Sequence, residues 1–245
     1  MTLREEAVSF VKDYFEKNGN KDTKVVIGIS GGKDSSVVAA LCCEALGKDR
    51  VIGVMMPNGV QKDISDSQKL CKFLGIKNYT INIEDAYKGL SSSVTNALGI
   101  SETNAQFNTN TPSRLRMSVL YSVAALLGNA RVSCNGNLSE RITGFYTLWG
   151  DGAGDFAPLA NYTATEVIAI GKTIEELPVE LVEKAPSDGL CGKTDEDSFG
   201  FTYKQLDTYL RTGASGDEEA DVKIAARIKN SEFKRRPTES CPYAE

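Results

Sequence analysis

The 245-residue chain contains no histidine. That absence excludes Ser-His-Asp and Cys-His catalysis, removes imidazole from any metal site, and leaves no unperturbed side chain titrating near neutral pH. Any acid, base or metal ligand is therefore a carboxylate, an amine, a hydroxyl or a thiol. No apolar run approaches the ~20 residues that cross a bilayer, and Thr2, Leu3, Arg4, Glu5 and Glu6 form no apolar signal core. A cytoplasmic protein without membrane contact is expected. The six cysteines (Cys42, Cys43, Cys71, Cys134, Cys191, Cys241) contain no CxxC pair, which points to free, buried thiols in a reducing compartment. Cationic excess is missing too: 28 Lys plus Arg face 33 Asp plus Glu, a net charge of -5, which argues against a nucleic-acid partner.

What is present is an ordinary globular composition, 41% apolar and 25% charged with 22 glycines. At this length folding buries roughly 70–75% of the unfolded surface, enough for one large core. With no internal repeat and no low-complexity linker, residues 1–245 read as a single domain. Leu3, Ala7, Phe10, Val11, Tyr14 and Phe15 recur at helical spacing over 2–18. The Val- and Ile-rich run 24–29 reads as a buried strand, 35–46 as a helix and 51–56 as a second strand, together a right-handed βαβ unit.

The alternation continues with a helix over 64–74, a strand over 79–83 and a helix over 84–98. Residues 99–110, rich in Ser, Thr, Asn and Gln, read as a mobile loop. Pro112 opens a helix to about 127, 131–134 is a short strand, and 163–177 is a further helix. Residues 185–200 read as a lid loop, followed by helices over 203–210 and 218–229 and a basic tail at Lys234, Arg235 and Arg236. The expected class is α/β, a doubly wound parallel sheet covered on both faces, with a small helical C-terminal part. Ligands of such sheets bind at the carboxyl ends of the strands, near the topological switch point.

The strongest chemical feature is Gly28, Ile29, Ser30, Gly31, Gly32, Lys33, Asp34, Ser35, lying between the first strand and the next helix. Two adjacent glycines let backbone N–H groups converge on an anion, and the helix N-terminus adds its partial positive charge. The run is not a Walker loop, because Asp34 follows the lysine where Ser or Thr is required, and it is not GxGxxG. Asp34, an acid inside an anion nest, makes physical sense with a divalent cation bridging it to phosphates, so Mg²⁺ is expected. The same residues could also form no more than a tight turn with Ser or Asp capping.

Ser30, Gly31, Gly32, Lys33, Asp34, Ser35 resembles the SGGxDS pyrophosphate loop of the N-type ATP pyrophosphatases, a Rossmann-like fold of the adenine nucleotide alpha hydrolase type. Later segments, in matching order, resemble the short, ammonia-using NAD synthetases. They are Arg114, Leu115, Arg116, Met117; Asn137, Leu138, Ser139, Glu140 with Thr143, Gly144, Phe145; Gly150, Asp151, Gly152, Ala153, Gly154, Asp155; Lys184 to Leu190 with Asp195 and Glu196; Phe201, Thr202, Tyr203 with Leu206, Asp207, Tyr209, Leu210; and Lys234, Arg235.

The resemblance implies ATP-dependent amidation of deamido-NAD to NAD through an adenylated carboxylate, releasing AMP and pyrophosphate. It places Gly28, Ile29, Ser30, Gly31, Gly32, Lys33, Asp34, Ser35, Asn135 and Ser187 on ATP, with Lys33 and Asp34 catalytic. Asp34 and Glu140 would hold Mg²⁺, and Arg114, Asp155, Phe233 and Lys234 would meet deamido-NAD. Each position also has a bland reading: Glu140 a solvated helix residue, Arg114 a surface charge, Asp155 a turn-capping acid, Lys234 part of a disordered tail.

Three positions depart from the resemblance. Leu148 stands where a substrate-contacting Lys is expected, Ala164 where an ATP-contacting Lys is common, and Phe233 where His is common; Lys172 or Lys193 could substitute. Asn135 and Asn137 replace the more usual Thr and His. The resemblance further implies a homodimer, with the 111–127 helix supplying apolar interface. Only 23 residues precede the first strand and none is a cysteine, so ammonia and not glutamine is the expected nitrogen donor. Two alternatives stay open: another amidating or thiolating ATP pyrophosphatase, and a nucleotide sensor without turnover.

Overall fold

Val25, Val26 and Ile27 are fully buried because β1 (Lys24–Gly28) lies inside a sheet covered on both faces. The computed structural model describes residues 1–61, 64–175, 177–183, 196 and 199–241. Within them β1 joins β2 (Val51–Met55), β3 (Lys77–Thr80) and β4 (Ala130–Val132) in a four-stranded parallel sheet of order β3-β2-β1-β4. Val25 stands opposite Val51 on one side and Arg131 on the other. The chain thus runs outward from β1 to β3 and returns to the far side of β1 for β4, so the switch point lies between β1 and β4.

The apolar run of β1 divides by alternation, since successive side chains point to opposite faces. Val25 and Ile27 pack with α1 (Leu3–Asn18), α2 (Lys33–Leu46) and α7 (Ala164–Lys172) through Val11, Phe15, Val37, Leu41, Val167 and Ile170. Val26 joins Ile52, Val54 and Val132 against α5 (Ala105–Leu127), which contributes Ala124 and the partly buried Val119, Leu120 and Val123. Helix α3 (Ile64–Leu74) adds Leu70 and Cys71 to the first face, while α4 (Glu84–Leu98) buries no residue. The doubly wound α/β expectation is met.

A third apolar cluster, of Ala164, Phe199, Phe201, Tyr203, Leu206, Ala220 and Ile224, unites α7 with α9 (Tyr203–Thr212) and α10 (Glu218–Asn230). It is the expected helical C-terminal part. Between these elements lie α6 (Leu138–Thr143) and α8 (Val179–Val182).

Three boundaries differ from expectation. Strand β3 ends at Thr80 and does not run through Ile83, because its register on β2, Ile52 opposite Lys77, uses up the strand by Met55. Residues 105–110 are helix, not loop: Asn104 caps α5 by accepting from Phe107 N at 2.8 Å, and Pro112 sits inside the helix rather than opening it. Helix α7 stops at Lys172, short of 177. Most of the expected lid, 185–200, lies outside the described residues. Cys42 and Cys71 are buried free thiols, whereas Cys241 is exposed. No described helix is long and apolar enough to cross a membrane.

Candidate active site

The glycine loop closes the carboxyl end of β1. A Cβ on Gly28 would stand 3.2 Å from Met56 Cε and 3.4 Å from Leu120 Cδ1. Gly31 has φ 78°, and a Cβ there would come within 3.1 Å of Ser67 Oγ and 3.2 Å of Ser67 N, so only glycine fits. Ser67 Oγ in turn donates to the carbonyl of Ile29 at 3.3 Å, holding the loop against α3. Gly32 is the N-cap of α2, with no side-chain cap. The first-turn N–H groups, which have no partner within a helix, therefore face the loop as an anion site. Ser30 and Ser35 hydroxyls lie 3.1 Å apart, and Gly32 N donates to Ser30 Oγ at 3.2 Å.

Beside this nest sit two carboxylates. Lys33, 4% exposed, places Nζ 2.7 Å from Asp34 Oδ2 and 5.8 Å from the centre of the Tyr203 ring. Asp34 Oδ1 accepts from Asn137 Nδ2 at 2.9 Å. Asn137 is also the N-cap of α6, its Oδ1 accepting from Glu140 N at 3.0 Å while its own N–H donates to Glu140 Oε2 at 3.3 Å. One buried amide thus spans both acids. Burial pushes the Glu140 carboxyl up to about 8, and the negative charge of Asp34 adds to the rise while Lys33 opposes it. Asn135 fastens the same corner, donating from Nδ2 to Gly28 O at 2.9 Å and accepting from Ser133 Oγ at 2.7 Å.

Two hard oxygen donors that repel one another next to a phosphate nest suit a divalent cation. No group of three or more His, Cys, Asp or Glu among the described residues would hold a metal unaided.

The segment after α6 forms the opposite wall. Asp151 Oδ1 accepts from Thr147 N at 2.9 Å and from Ser113 Oγ at 2.6 Å, tying the turn to α5. Glycine is required at 150, 152 and 154, where a Cβ would collide with Ser113 Oγ, the Tyr146 ring and Cys134 N respectively. Arg114 is exposed and donates from Nε to Leu148 O at 3.3 Å. Asp155 spends its carboxylate on Val132 N, 2.7 Å, and the Tyr121 hydroxyl, 3.2 Å, so it secures the end of β4.

Lys234 is half-buried in a 3-10 turn, not a free tail. Its Nζ donates to Gly144 O at 2.7 Å and Tyr146 O at 2.6 Å, and burial holds its ammonium below the ordinary lysine value. Phe233 is 63% exposed. The structure therefore brings together the glycine loop, Lys33, Asp34, Asn135 and Glu140; Arg114 and Phe233 are exposed on the neighbouring wall segments; Ser187 and Lys193 lie outside the described residues.

Residues 3–238 match the family model for NAD synthase. The chain belongs to the NAD synthase family. The NH(3)-dependent NAD(+) synthetase of Pyrococcus furiosus is 39% identical over 95% of this chain and 92% of its own. Among solved structures, the NMN synthetase of Francisella tularensis superposes with a TM-score of 0.88 at 32% identity, covering 98% of both chains. An NH3-dependent NAD synthetase from Campylobacter jejuni, with nitrate bound, gives 0.77 at 27% identity, covering 98% of this chain and 97% of that one. The family assignment makes the chain a ligase that forms a C–N bond.

Within this NAD synthase frame two of the departures, and the lysine that could substitute for them, acquire a physical description. Ala164 is 2% exposed in the third apolar cluster, and its N–H donates to Ser139 Oγ at 2.9 Å, so this position is core. Lys172 is a half-exposed surface partner of Glu183 at 2.5 Å. Leu148 gives its carbonyl to Arg114 Nε.

Two contributors carry roles that the sequence motifs containing them did not assign. Asn137 was legible in principle from the capping-box spacing Asn137 to Glu140. Asp207, 5% exposed, accepts from Ser139 Oγ and, at 2.8 Å, from Thr165 N, locking α6, α7 and α9 together, and no local signal marks it.

Proposed function

We propose that the chain amidates deamido-NAD to NAD with ammonia, cleaving ATP to AMP and pyrophosphate. The observation that carries this reading is the pair Asp34 and Glu140, joined through Asn137 at the mouth of the SGGKDS loop. The nicotinate oxygen attacks the α-phosphorus as the bond to pyrophosphate breaks; ammonia then attacks the adenylated carboxyl carbon, AMP leaves and a proton is lost. The N–H groups at the start of α2, the hydroxyls of Ser30 and Ser35, and the Lys33 ammonium would hold the departing pyrophosphate. Mg²⁺ held by Asp34 and Glu140 would neutralise phosphate charge.

Arg114, Phe233, Asp155 and Lys234 would flank the acid substrate, the last two by fixing the wall that meets it. Catalysis is positioning and electrostatics, which needs no histidine. The working form is a homodimer in the cytoplasm, a reading supported by resemblance and by buried free thiols at Cys42 and Cys71.

A second reading follows from the TM-score of 0.88 with the NMN synthetase. In it the acid substrate is nicotinic acid mononucleotide and the product NMN. Incubation with ATP, Mg²⁺ and ammonium, and with either deamido-NAD or the mononucleotide, decides between them by which amide accumulates beside AMP. Xanthosine monophosphate in place of both tests the GMP-synthetase-like alternative, and replacing ammonium by glutamine tests the nitrogen source. AMP release without either amide would overturn both readings.

A further inference from the structure

Trp149 is the one tryptophan of the chain. It is also the one non-glycine residue among those described with a positive φ, 63°. A bulky side chain is disfavoured in the left-handed region and persists there only where the surroundings over-determine the backbone. They do so here. Gly150 N donates to Thr147 O at 2.9 Å, Thr147 N to Asp151 Oδ1 at 2.9 Å, and Asp151 N to Ser113 Oγ at 2.9 Å. Arg114 Nε holds Leu148 O, and Gly150 is packed so closely on Ser113 that a Cβ could not be added.

This strain keeps the indole out of the protein. Trp149 is 60% exposed and belongs to none of the three apolar clusters. A tryptophan placed for core packing would show the reverse, and a merely tolerated surface aromatic would not need a left-handed backbone. The turn that carries it is fixed at both ends by the site walls, to α5 at Ser113 and Arg114 and, through Tyr146 OH donating to Lys234 O at 2.8 Å, to the C-terminal turn. The turn that carries the indole therefore borders the corner that holds Glu140: Asp151 O accepts from Cys134 Sγ at 3.5 Å, and a Cβ on Gly136 would lie 4.0 Å from that sulfur and 3.7 Å from Glu140 Oε2.

We infer that Trp149 is the stacking platform for the pyridine ring of a nicotinate ribotide, the end of the acid substrate that carries the reacting carboxylate. This rests on the proposed amidation. The wall supplies an exposed cation for phosphate at Arg114, and Trp149 adds a flat apolar surface for the ring. Stacking on the indole would hold the ring plane while leaving the carboxylate free to turn toward the nucleotide. The chemistry is common to the mononucleotide and the dinucleotide, so both are tested.

Because the chain has a single tryptophan, its intrinsic fluorescence reports on this residue alone. The protein is titrated separately with nicotinic acid mononucleotide, deamido-NAD and the Mg²⁺ complex of a non-hydrolysable α,β-methylene ATP, and steady-state kinetics are measured for Trp149→Ala and Trp149→Phe. Saturable quenching by at least one acid, little change with the ATP analogue, and a roughly 10- to 100-fold rise in KM for that acid in Trp149→Ala are expected. KM for ATP should hold, and Trp149→Phe should restore most of the loss. The acid that quenches at lower concentration identifies the source of the ribotide.

Quenching by the ATP analogue alone, absence of quenching by both acids, or fluorescence that follows protein concentration instead of ligand would each overturn the inference. The last would mean that a second copy covers the indole. Quenching by an acid without amide formation would leave the platform standing and remove the proposed reaction. Amide formation at unchanged KM in Trp149→Ala would do the opposite.

Discussion

The side chain of Asn137 links the carboxylate of Asp34 to the backbone N–H of Glu140, with Lys33 the buried cation beside them. Asp34→Asn and Glu140→Gln preserve shape and remove one charge each, so both should lower turnover by orders of magnitude while circular dichroism and Tm stay near those of the parent. Near-normal rates at limiting Mg²⁺ in either variant would refute the metal assignment. The raised Glu140 value sets a pH dependence as well. In the metal-free protein, folding favours the protonated carboxyl, so its contribution to stability is complete below about 4.5 and is lost as pH climbs through about 8. Mg²⁺ needs the ionised form. Its stabilising effect, read as a thermal shift, should therefore grow between about pH 6 and pH 9 and be flat in Glu140→Gln. A Mg²⁺ shift independent of pH in the parent protein would contradict this. At this scale the sequence showed the acids and the loop, because motif residues carry their own chemistry; it did not show that Asp155 and Lys234 spend their polar groups on backbone atoms, since those partners come from β4 and from the end of α6.

The junction of β1 and α2 depends on glycine at one position more than at its neighbour. Gly31 is left-handed and crowded by Ser67, whereas Gly32, at φ -87° and ψ 168°, has an ordinary extended backbone with Ser30 Oγ 3.4 Å from an added Cβ. Gly31→Ala should cost about 1–2 kcal/mol of stability and weaken ATP binding. Gly32→Ala should change stability by less than about 0.5 kcal/mol. Denaturant melts of the two variants provide the comparison, and equal losses would show that the loop is not held in the geometry described. Elements with a strong apolar period, such as α1, β1, α2 and β2, were legible because their own side chains fill the core. The start of α5 was not: apart from the half-buried Phe107 its first turn and a half is polar and largely exposed, and the helix there starts from the Asn104 cap. Strand β3 was misplaced for a related reason. All four of its residues are exposed, so its position follows from pairing with β2, which composition does not reveal.

The whole molecule leaves several large apolar side chains exposed along α4 and α5. Helix α4 buries nothing, yet Leu90, Leu98 and Ile100 are 41%, 66% and 48% exposed, and Leu126 near the end of α5 is 90% exposed. Leu115, Val119, Leu120, Val123 and Leu127, by contrast, are partly buried against the sheet face, so the helix read from sequence as interface also packs on the core. Sequence pattern cannot separate the two uses, because a core stripe and an interface stripe have the same period. If the remaining residues are the contact, a copy of the same chain is the economical partner, since a two-fold interface lets one apolar patch cover itself. Light scattering should then give twice 26.5 kDa for the parent protein. The double change Leu98→Asp with Leu126→Glu should shift it to the monomer without loss of helix content, because neither side chain supports the core. A parent protein that is active as a 26.5 kDa monomer would refute the dimer. If the double variant stays dimeric, the interface lies elsewhere and this apolar face has another occupant.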